Sequence, residues 1–272
     1  MAHPGTHQKL HGPGGFPARY GAWALVAGAS QGLGAAYARA LAGRGMDLVL
    51  VARRRSLLDA LADDVRRSFG VEVRCLEGDL ADQGFSERLS SAVADLEIGV
   101  LVYNAAHAPV GDFASMDSAD LMRVVDVNVR GPVGLLRSLL PSMIERQRGA
   151  VVLMSSLAGN QGSPRLATYA ASKAFNRVLA EGLWRELRSQ GVDMVACCAG
   201  AVRTPGYSTA AGADAPGTLG PQAVAESALR ALGHGPVVIP GFVNRVAALL
   251  LGRLLPRRAA IGIMSGSTRR LS

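Results

Sequence analysis

Short apolar runs rich in β-branched residues alternate with helix-period segments along most of the chain. The runs AWALVA, DLVLV, VEVRCL, IGVLVYN, GAVVLMSS and VDMVACC occupy residues 22–27, 47–51, 71–76, 98–104, 149–156 and 192–198. Helix-period segments lie between them, near residues 33–44, 56–68, 82–95, 118–147 and 166–189. Apolar strands that are each followed by a helix are typical of a parallel sheet buried on both faces. The pattern predicts an α/β fold, a single-domain Rossmann-type doubly wound parallel sheet.

The domain limits follow from where this alternation begins and ends. Residues 1–18 contain three prolines and several glycines, which predicts a flexible N-terminal tail. The pattern over residues 19–240 predicts one dinucleotide-binding catalytic domain, which ends with a helix near 221–232 and a strand at 237–239. Residues 241–272 carry six arginines and no acidic residue around the run VAALLLGRLL. This basic, apolar extension is expected to pack on the substrate side or at a subunit interface. Contact with a membrane surface and binding of acyl-thioester phosphates are the alternatives.

Charge and cysteine usage narrow the classes of partner. The 272-residue chain has a formal net charge of +8, which suits a nucleic acid, a membrane surface or another polyanion. No nucleic-acid recognition motif accompanies this charge, so no nucleic-acid partner is expected.

The three cysteines lack metal-ligand spacing, and adjacent Cys197 and Cys198 lie in an apolar run. We therefore predict buried reduced thiols, no metal site and a cytoplasmic protein, since residues 1–18 also lack the apolar core of a signal peptide.

A glycine cluster, GASQGLG, follows the first predicted strand and enters a helix. Small residues let the backbone approach a pyrophosphate, and the helix N-terminus supplies N–H groups and positive partial charge. Because the cluster lies between a strand and a helix, it predicts nucleotide binding rather than merely a tight turn. The candidate cofactor contacts in this loop are Gly28, Ser30, Gln31, Gly32, Leu33 and Gly34.

The end of the second predicted strand reads VARRR and contains no carboxylate. NAD-binding chains carry an acidic residue near this position to receive the ribose hydroxyls. Arginines suit an adenosine 2′-phosphate instead, through charge-assisted bidentate hydrogen bonds. The predicted cofactor is therefore NADP(H), with Arg53 as the main contact and Ser30 or Arg54 assisting. The alternative is that these arginines are only the solvated start of a helix.

Two later segments complete the expected cofactor environment. Asp79 and Leu80, in EGDL after the third strand, are placed to meet the adenine edge. Asp79 is equally suited to cap the following helix, and the two roles are compatible. Residues 205–220 are rich in Gly, Pro and Ala and have no strand or helix period. A long loop after the sixth strand predicts a binding lid, with a plain surface loop as the alternative.

Tyr169 and Lys173 are spaced i, i+4 in YAASK, so their side chains share one helix face. An ammonium beside a phenol stabilises the phenolate and lowers the pKa of the tyrosine. An isolated pair of this kind would indicate only a solvated helix face, but other polar residues accompany this pair. Ser155 and Ser156 end the fifth strand, at the edge where α/β sheets bind ligands, and Asn128 lies in an apolar helical stretch. Together these residues predict proton transfer to or from a carbonyl oxygen.

The combined pattern resembles the short-chain dehydrogenase/reductase family over roughly residues 20–240. A Ser-to-Tyr separation of 13 selects Ser156 over Ser155. The resemblance implies that Tyr169 is the general acid in reduction and that Ser156 anchors the carbonyl. It implies that Lys173 lowers the tyrosine pKa and binds ribose, while Asn128 positions a water in a relay to Lys173. The matching positions are Gly28, Gly32, Gly34, Asp79, Asn104, Ala105, Asn128, Ser156, Tyr169 and Lys173.

The same resemblance implies further cofactor contacts at Asn104, Ala105, Tyr169, Lys173, Gly200, Val202 and Thr204. Four positions depart from the family pattern without removing a catalytic group: Ala27, Tyr103, Ala106 and Ala199. These changes are expected to reshape the nicotinamide pocket or the loop after the sixth strand. His107 follows the NAA motif and is either a substrate contact or an ordinary polar residue.

The resemblance implies an enzyme that transfers a hydride between NADP(H) and a carbonyl or secondary alcohol. The apolar lid and C-terminal region predict a hydrophobic substrate, with ketosteroid-like ketones and 3-oxoacyl groups as the candidates. A homodimer or homotetramer through the helices near 118–147 and 166–189 is implied as well. The alternatives are an NADP(H) sensor or interaction protein without turnover, and a sugar-nucleotide epimerase or dehydratase.

Overall fold

A seven-stranded parallel sheet forms the centre of the molecule. The computed structural model describes residues 15–205, 207 and 214–268. The strands are β1 (Trp23–Ala27), β2 (Asp47–Ala52), β3 (Val73–Glu77), β4 (Ile98–Tyr103), β5 (Gly149–Ser156), β6 (Val192–Ala199) and β7 (Val237–Val238). Their order is β3-β2-β1-β4-β5-β6-β7, and every pairing is parallel. This is the doubly wound arrangement that the sequence predicts.

Helices connect the strands and cover both faces of the sheet. They are α1 (Phe16–Tyr20), α2 (Gly32–Ala42), α3 (Arg55–Phe69), α4 (Phe85–Ala92), α5 (Ser118–Val125), α6 (Gly131–Glu145), α7 (Ala167–Leu187), α8 (Pro221–Ala231), α9 (Phe242–Leu249) and α10 (Arg257–Thr268). Helices α2, α3 and α8 pack on one face of the sheet, and α4, α6 and α7 pack on the other. Strand residues alternate between these two cores, as Val100 and Leu101 do on β4. Each such fully buried side chain contributes roughly 1.5–3 kcal/mol through removal from water.

The strand order reverses at β1, which pairs with β2 on one side and β4 on the other. In open α/β sheets, ligands bind at the carboxyl ends of the strands beside such a reversal. The backbone closes tightly here: the N–H groups of Gly28 and Ala29 donate to the carbonyl of Val51, and those of Asn104 and Ala105 donate to the carbonyl of Ala27. The loops after β1 and β4 are thereby held side by side at one edge of the sheet.

Several elements differ from the sequence expectation. The long helix predicted near 118–147 is divided, because α5 runs into a π-helical segment, Asp126–Arg130, before α6 begins. The Tyr103 hydroxyl donates to the carbonyl of Val127 over 2.6 Å and holds this irregular turn in place. Residues 16–18, which were assigned to the flexible tail, lie in α1, and the rest of that tail, 1–14, is outside the described residues. The Tyr20 hydroxyl fastens α1 to Asp193 on β6 over 2.8 Å.

The described part of the C-terminal extension is mostly helical. Helix α9 continues into a π-helical segment, Leu250–Leu254, and α10 follows. Among the described residues, none of the helices is long and apolar enough to cross a bilayer. Arg257 in α10 donates to the carbonyl of Asn160 over 2.9 Å, which fixes the extension beside the segment that follows β5. Its expected packing on the substrate side or at a subunit interface stays a prediction.

Candidate active site

The glycine loop after β1 leaves room for a ligand against bare backbone. Gly28 has φ +84°, and a Cβ there would approach the backbone of Ala105 within 2.7 Å. A Cβ on Gly34 would overlap the carbonyl oxygen of Gly28, so α2 packs directly on the strand end. Helix α2 begins at Gly32, and the residue before it, Gln31, makes no side-chain capping bond. The first N–H groups of α2 therefore lie at the sheet edge, where they suit a phosphate.

A cavity of about 380 Å³ lies over this loop. It collects residues that the sequence placed in five different segments, which the fold brings to one side of the sheet. The predicted cofactor residues that line it are Gly28, Ser30, Gln31, Gly32, Leu33, Arg53, Arg54, Asp79, Leu80, Asn104, Ala105 and Thr204. The lining residues come from the end of β2 and from the loops after β1, β3, β4 and β6, at the edge of the sheet where α/β folds bind ligands.

The two arginines after β2 are exposed at the cavity edge. Arg54 donates to the hydroxyl of Ser30 over 3.1 Å, so the serine and the arginine predicted to assist are in direct contact. Neither Arg53 nor Arg54 forms an ion pair with a described carboxylate, whereas Arg55 pairs with Asp59 at 2.9 Å. The two guanidinium groups are therefore free to receive an anion.

Asp79 meets an arginine that sequence reasoning missed. Its carboxylate accepts a hydrogen bond from the N–H of Ala81 over 3.0 Å and an ion-paired hydrogen bond from Arg123 on α5. Partial burial raises the pKa of Asp79, but these two partners outweigh it and hold that pKa below its usual range. The N-cap of α4 is Gly84, so Asp79 does not cap that helix as the alternative reading proposed. Arg123 lines the cavity beside Asp79. A single basic residue on a predicted helix does not indicate such a contact, so the sequence did not predict this role.

Ser156 and Tyr169 meet where β5 ends and α7 begins. A hydrogen bond with Ser156 lowers the pKa of the Tyr169 phenol, but burial raises it more. The Ser156 hydroxyl also accepts from the N–H of Ala158 over 3.2 Å, which fixes its position. Ser155 points elsewhere, since its hydroxyl donates to the carbonyl of Lys173 over 2.7 Å. The geometry favours Ser156 as the hydroxyl that faces the reacting group.

Lys173 lies beneath the tyrosine and is almost completely buried. Its Nζ is 5.5 Å from the ring centroid of Tyr169 and donates to the carbonyl of Met154 over 3.0 Å. Burial lowers the pKa of Lys173 to about 8. The pKa of Tyr169 is raised overall. The sequence predicted a lowered pKa for this phenol, caused by the ammonium of Lys173, and the geometry does not produce it. Desolvation of the phenol is the physical reason, because it disfavours the phenolate.

Asn128 lies in the π-helical segment, and both the oxygen and the nitrogen of its side-chain amide form hydrogen bonds within the protein. Its Oδ1 accepts from the N–H of His107 over 2.8 Å, and its Nδ2 donates to the His107 carbonyl over 3.0 Å. The same Nδ2 donates to the Ser172 hydroxyl over 3.0 Å, and that hydroxyl donates to the carbonyl of Tyr169 over 2.7 Å. The side chain thus joins the loop after β4 to helix α7. The relay to Lys173 that the resemblance implies stays a prediction.

His107 lines the cofactor cavity, and its Nε2 lies 3.0 Å from the carboxylate of Asp120 on α5. Of the residues after β6, Thr204 also lines the cavity, and its side chain lies against Gly32. Gly200 and Val202, predicted as cofactor contacts, do not line it. A Cβ on Gly200 would come within 2.5 Å of Asn244, and Val202 pairs with Leu219 by a parallel bridge. Both residues lie in the segment after β6 that leads to Thr204.

The expected lid is described only at its two ends. Its return, residues 214–220, is tied to the segment after β6: Leu219 donates to the carbonyl of Ala201 over 3.0 Å, and Arg203 forms an ion pair with Asp214. Residues 206 and 208–213 lie outside the described residues. A small cavity of about 20 Å³ lies beside Tyr169, and its lining includes Phe113, Met116, Leu121, Val124, Arg165, Leu166 and Thr168.

The chain is similar to known dehydrogenases in sequence. The family model for short chain dehydrogenases matches residues 22–212. A 7beta-hydroxysteroid dehydrogenase from Clostridium sardiniense is 38% identical over 190 residues, which are 70% of this chain and 73% of that protein. A very-long-chain 3-oxoacyl-CoA reductase from Anas platyrhynchos is 36% identical over 193 residues, which are 69% of this chain and 60% of that reductase. The match therefore covers less than two thirds of the reductase.

The fold is similar to solved structures in the same way. A structure solved in a study of 7beta-hydroxysteroid dehydrogenase stereoselectivity superposes with a TM-score of 0.87 at 27% identity, covering 92% of this chain and 99% of that one. A short-chain dehydrogenase from Sphingobium yanoikuyae in complex with NADPH superposes with a TM-score of 0.76 at 32% identity, covering 89% and 94%. Together with the glycine loop and the Ser156, Tyr169 and Lys173 arrangement, these matches show that the chain belongs to the short chain dehydrogenase family.

Proposed function

We propose that the protein is an NADP(H)-dependent oxidoreductase that transfers a hydride between the nicotinamide and a carbonyl or secondary alcohol. The observation that carries this proposal is the juxtaposition of Ser156, Tyr169 and buried Lys173, in a domain whose glycine loop lines a cavity of about 380 Å³. Family membership supports the same reaction. A protein that only senses the nucleotide needs the loop and the arginines, but it has no need for the serine and tyrosine together.

The side chains divide the reaction among them. When bound, NADPH supplies the hydride that adds to the carbonyl carbon of the substrate. The Ser156 hydroxyl donates a hydrogen bond to the carbonyl oxygen and orients it, and the Tyr169 phenol delivers the proton to that oxygen. The Lys173 ammonium lies close enough to favour the resulting phenolate electrostatically. In the oxidative direction, Tyr169 accepts the proton from the alcohol and the hydride returns to the cofactor.

Several features support NADP(H) as the cofactor. Gly28 and Gly32 line the cavity without a side chain, so the backbone is open to a pyrophosphate. Arg53, Arg54 and Ser30 form a cationic and hydrogen-bonding group at the end of β2, where a 2′-phosphate would lie. The Sphingobium yanoikuyae relative was solved with NADPH. Comparison of kcat/KM for NADPH and NADH tests the assignment, and near-equal values would contradict it.

We infer that the substrate is bulky and hydrophobic. The names of the relatives support this, one a hydroxysteroid dehydrogenase and the other a very-long-chain 3-oxoacyl-CoA reductase. Oxidation of NADPH should be followed with steroid ketones, 3-oxoacyl thioesters, aldehydes and small cyclic ketones. Turnover of either of the first two classes, lost in Tyr169→Phe, supports the proposal. If Tyr169→Phe matched the wild type on every substrate, the assigned chemistry would be wrong.

An epimerase or dehydratase acting on a sugar nucleotide is the weaker candidate. After β6 the described chain adds helices α8, α9 and α10 and the two-residue strand β7. Helix α8 packs on the sheet, and α9 and α10 lie at the edge of the same domain. This part of the chain offers little room for a separate sugar-binding domain.

The outer face of α7 supports assembly into a homodimer or homotetramer. A shallow groove there is lined by Ala171, Ala174, Phe175, Val178, Leu179, Gly182, Leu183 and Glu186, and Val178 is 66% exposed. Exposed Met122 and Val125 on α5 extend the apolar area. Val178→Glu should lower the molar mass measured by light scattering, while Phe69→Glu on α3 should not.

The free thiols of Cys75, Cys197 and Cys198 support a reducing compartment such as the cytoplasm.

A further inference from the structure

Helix α9 is attached to the domain through its polar side. Asn244 is the one residue of this helix that is buried, and its Nδ2 donates to the carbonyls of Gly217 over 3.0 Å and Pro240 over 2.9 Å. Its Oδ1 lies within 2.6 Å of the position that a Cβ on Gly200 or Gly217 would take. The amide of Asn244 therefore faces the lid return and the segment after β6, and this contact sets the rotation of the helix about its axis.

The apolar side of α9 consequently points into solvent. A period of 3.6 residues places Phe242, Val243, Val246, Leu249 and Leu250 on one arc, roughly opposite Asn244. All five are exposed, and Phe242 is 73% exposed. An ordinary surface helix turns its apolar stripe toward the core and its polar face toward water. The orientation of α9 is the reverse, which indicates that a non-aqueous phase or a partner covers its outer face.

The exposed apolar surface continues beyond α9. Leu254, at the end of the π-helical segment, is 63% exposed, and Leu255 after it is also exposed. We call this continuous set the C-terminal face. Its members are Phe242, Val243, Val246, Leu249, Leu250, Leu254 and Leu255. A contiguous apolar surface of this extent is typical of an interaction site.

Exposed arginines accompany the C-terminal face. Arg245, Arg253, Arg257 and Arg258 are exposed, and residues 241–268 contain no acidic side chain. Arg257 uses one nitrogen on the carbonyl of Asn160, which leaves its charge uncompensated. The other three form no ion pair with a described carboxylate. Apolar side chains flanked by cations suit the boundary between anionic headgroups and acyl chains.

We propose that the C-terminal face binds the surface of an anionic membrane peripherally. A second copy of this chain is the competing occupant, but two such faces packed together would oppose their arginines with no carboxylate between them. A run such as residues 242–255 is shorter than the roughly 20 residues needed to cross a bilayer, so it would lie in the plane of the interface. The proposal does not require that the chain be a reductase.

The location of the C-terminal face gives the membrane contact a consequence for the proposed reaction. Helix α10 contacts the segment after Ser156, through Arg257 on Asn160 and through Ile261, whose side chain lies 3.8 Å from the Cβ position of Gly162. Asn244 contacts the lid return. Binding to a lipid surface would thus place the substrate side of the domain next to the bilayer, where a hydrophobic ketone dissolves.

Vesicle binding of the full chain tests the proposal. Wild-type protein should sediment with vesicles of phosphatidylcholine mixed with phosphatidylserine, and more weakly with phosphatidylcholine alone or at high salt. Arg245→Glu combined with Arg253→Glu should weaken partitioning to the mixed vesicles roughly 10- to 30-fold. Phe242→Ser combined with Leu249→Ser should abolish it. Arg67→Glu and Phe69→Ser on α3 are the matched controls and should bind as the wild type does.

Two results would overturn the proposal. One is wild-type protein that fails to sediment with either vesicle type. The other is binding that the paired substitutions leave unchanged. If Phe242→Ser with Leu249→Ser instead lowers the molar mass of a wild type that ignores vesicles, the C-terminal face is a subunit interface. Measuring Tyr169→Phe in the same assay separates this proposal from the proposed reaction, because an inactive enzyme should still bind the vesicles.

Discussion

The Nζ of Lys173 lies 5.5 Å from the ring centroid of Tyr169 and is held there by its hydrogen bond to the carbonyl of Met154. The two groups occupy the same buried region, so desolvation acts on both. It raises the pKa of the phenol and lowers that of the ammonium to about 8. Lys173 is therefore still mostly protonated at neutral pH, and Tyr169 retains its proton there, as the proposed proton donor must.

Removing the Tyr169 hydroxyl should abolish most of the turnover. Tyr169→Phe removes the proton donor without changing the packing of the ring, so kcat should fall by about 10²- to 10⁴-fold. NADPH affinity, measured by fluorescence titration, should change little. Tyr20→Phe is the matched control, because Tyr20 contacts Asp193 at the opposite end of the sheet. Similar kcat values for the two variants would contradict the assignment.

The buried ammonium of Lys173 should make stability depend on pH. Its pKa falls from 10.5 to about 8 on folding, so between these values the unfolded chain binds a proton that the native protein lacks. Lys173 therefore increases the free energy of unfolding by at most about 3 kcal/mol as pH rises from about 8 to 10.5. Below pH 8 both states are protonated and the contribution is constant.

The measurement compares wild type with Lys173→Met by urea denaturation at several pH values. Cys197 and Tyr169 have raised pKa values and oppose the trend at high pH in both proteins, so only the difference is informative. The stability of the wild type relative to the variant should increase above pH 8. A difference that stays constant from pH 7 to 10 would show that Lys173 is not titrating in this window.

Local patterns predicted the sheet, the glycine loop and the residues around YAASK, because each depends on neighbours in sequence. The break in the helix after Val125 was not predictable in this way. It depends on Tyr103, whose hydroxyl reaches Val127, and on Asn128, whose amide holds the backbone of His107. These contacts span more than 20 residues. A window of helix-period residues carries no information about them.

Arg123 and Asn244 were missed for a related reason. Arg123 acquires its role only because the fold brings α5 beside Asp79, 44 residues earlier. Asn244 lies in a segment whose amphipathic pattern would ordinarily place the apolar side inward. The two carbonyls it binds, of Gly217 and Pro240, turn the helix the other way. The composition of the C-terminal extension favoured the substrate side or a subunit interface, which stays a prediction, and the orientation of α9 became visible only through this tertiary contact.

The arginines at the end of β2 should determine the preference between the two nicotinamide cofactors. Arg53→Ala and Arg54→Ala should each remove a proposed charge-assisted contact to the 2′-phosphate, and such a contact is worth roughly 1.5–3 kcal/mol. The KM for NADPH should rise about 10- to 100-fold, and the KM for NADH should hardly change. Arg55→Ala is the control, since Arg55 pairs with Asp59. Equal losses for both cofactors would indicate that the arginines contact a group common to NAD and NADP.

Asn244 should couple the C-terminal helix to the lid return. Asn244→Ala removes the donors to Gly217 and Pro240 and leaves two carbonyls unpaired, so the free energy of unfolding should fall by about 2–3 kcal/mol. KM for the carbonyl substrate should rise more than kcat falls, because the lid return loses its anchor. Asn244→Asp keeps the shape but lacks the N–H donors, and it should fail to restore either property.

Gly200 provides an independent check on the same contact. A Cβ at Gly200 would lie within 2.5 Å of the Asn244 side chain, so Gly200→Ala should destabilise the wild type. In an Asn244→Ala background the obstructing side chain is gone, and the same substitution should cost much less. Urea denaturation of the four proteins gives the coupling energy, which we expect to be at least about 1 kcal/mol. Additive effects would mean that Asn244 does not contact the segment after β6, and the orientation of α9 would then need another cause.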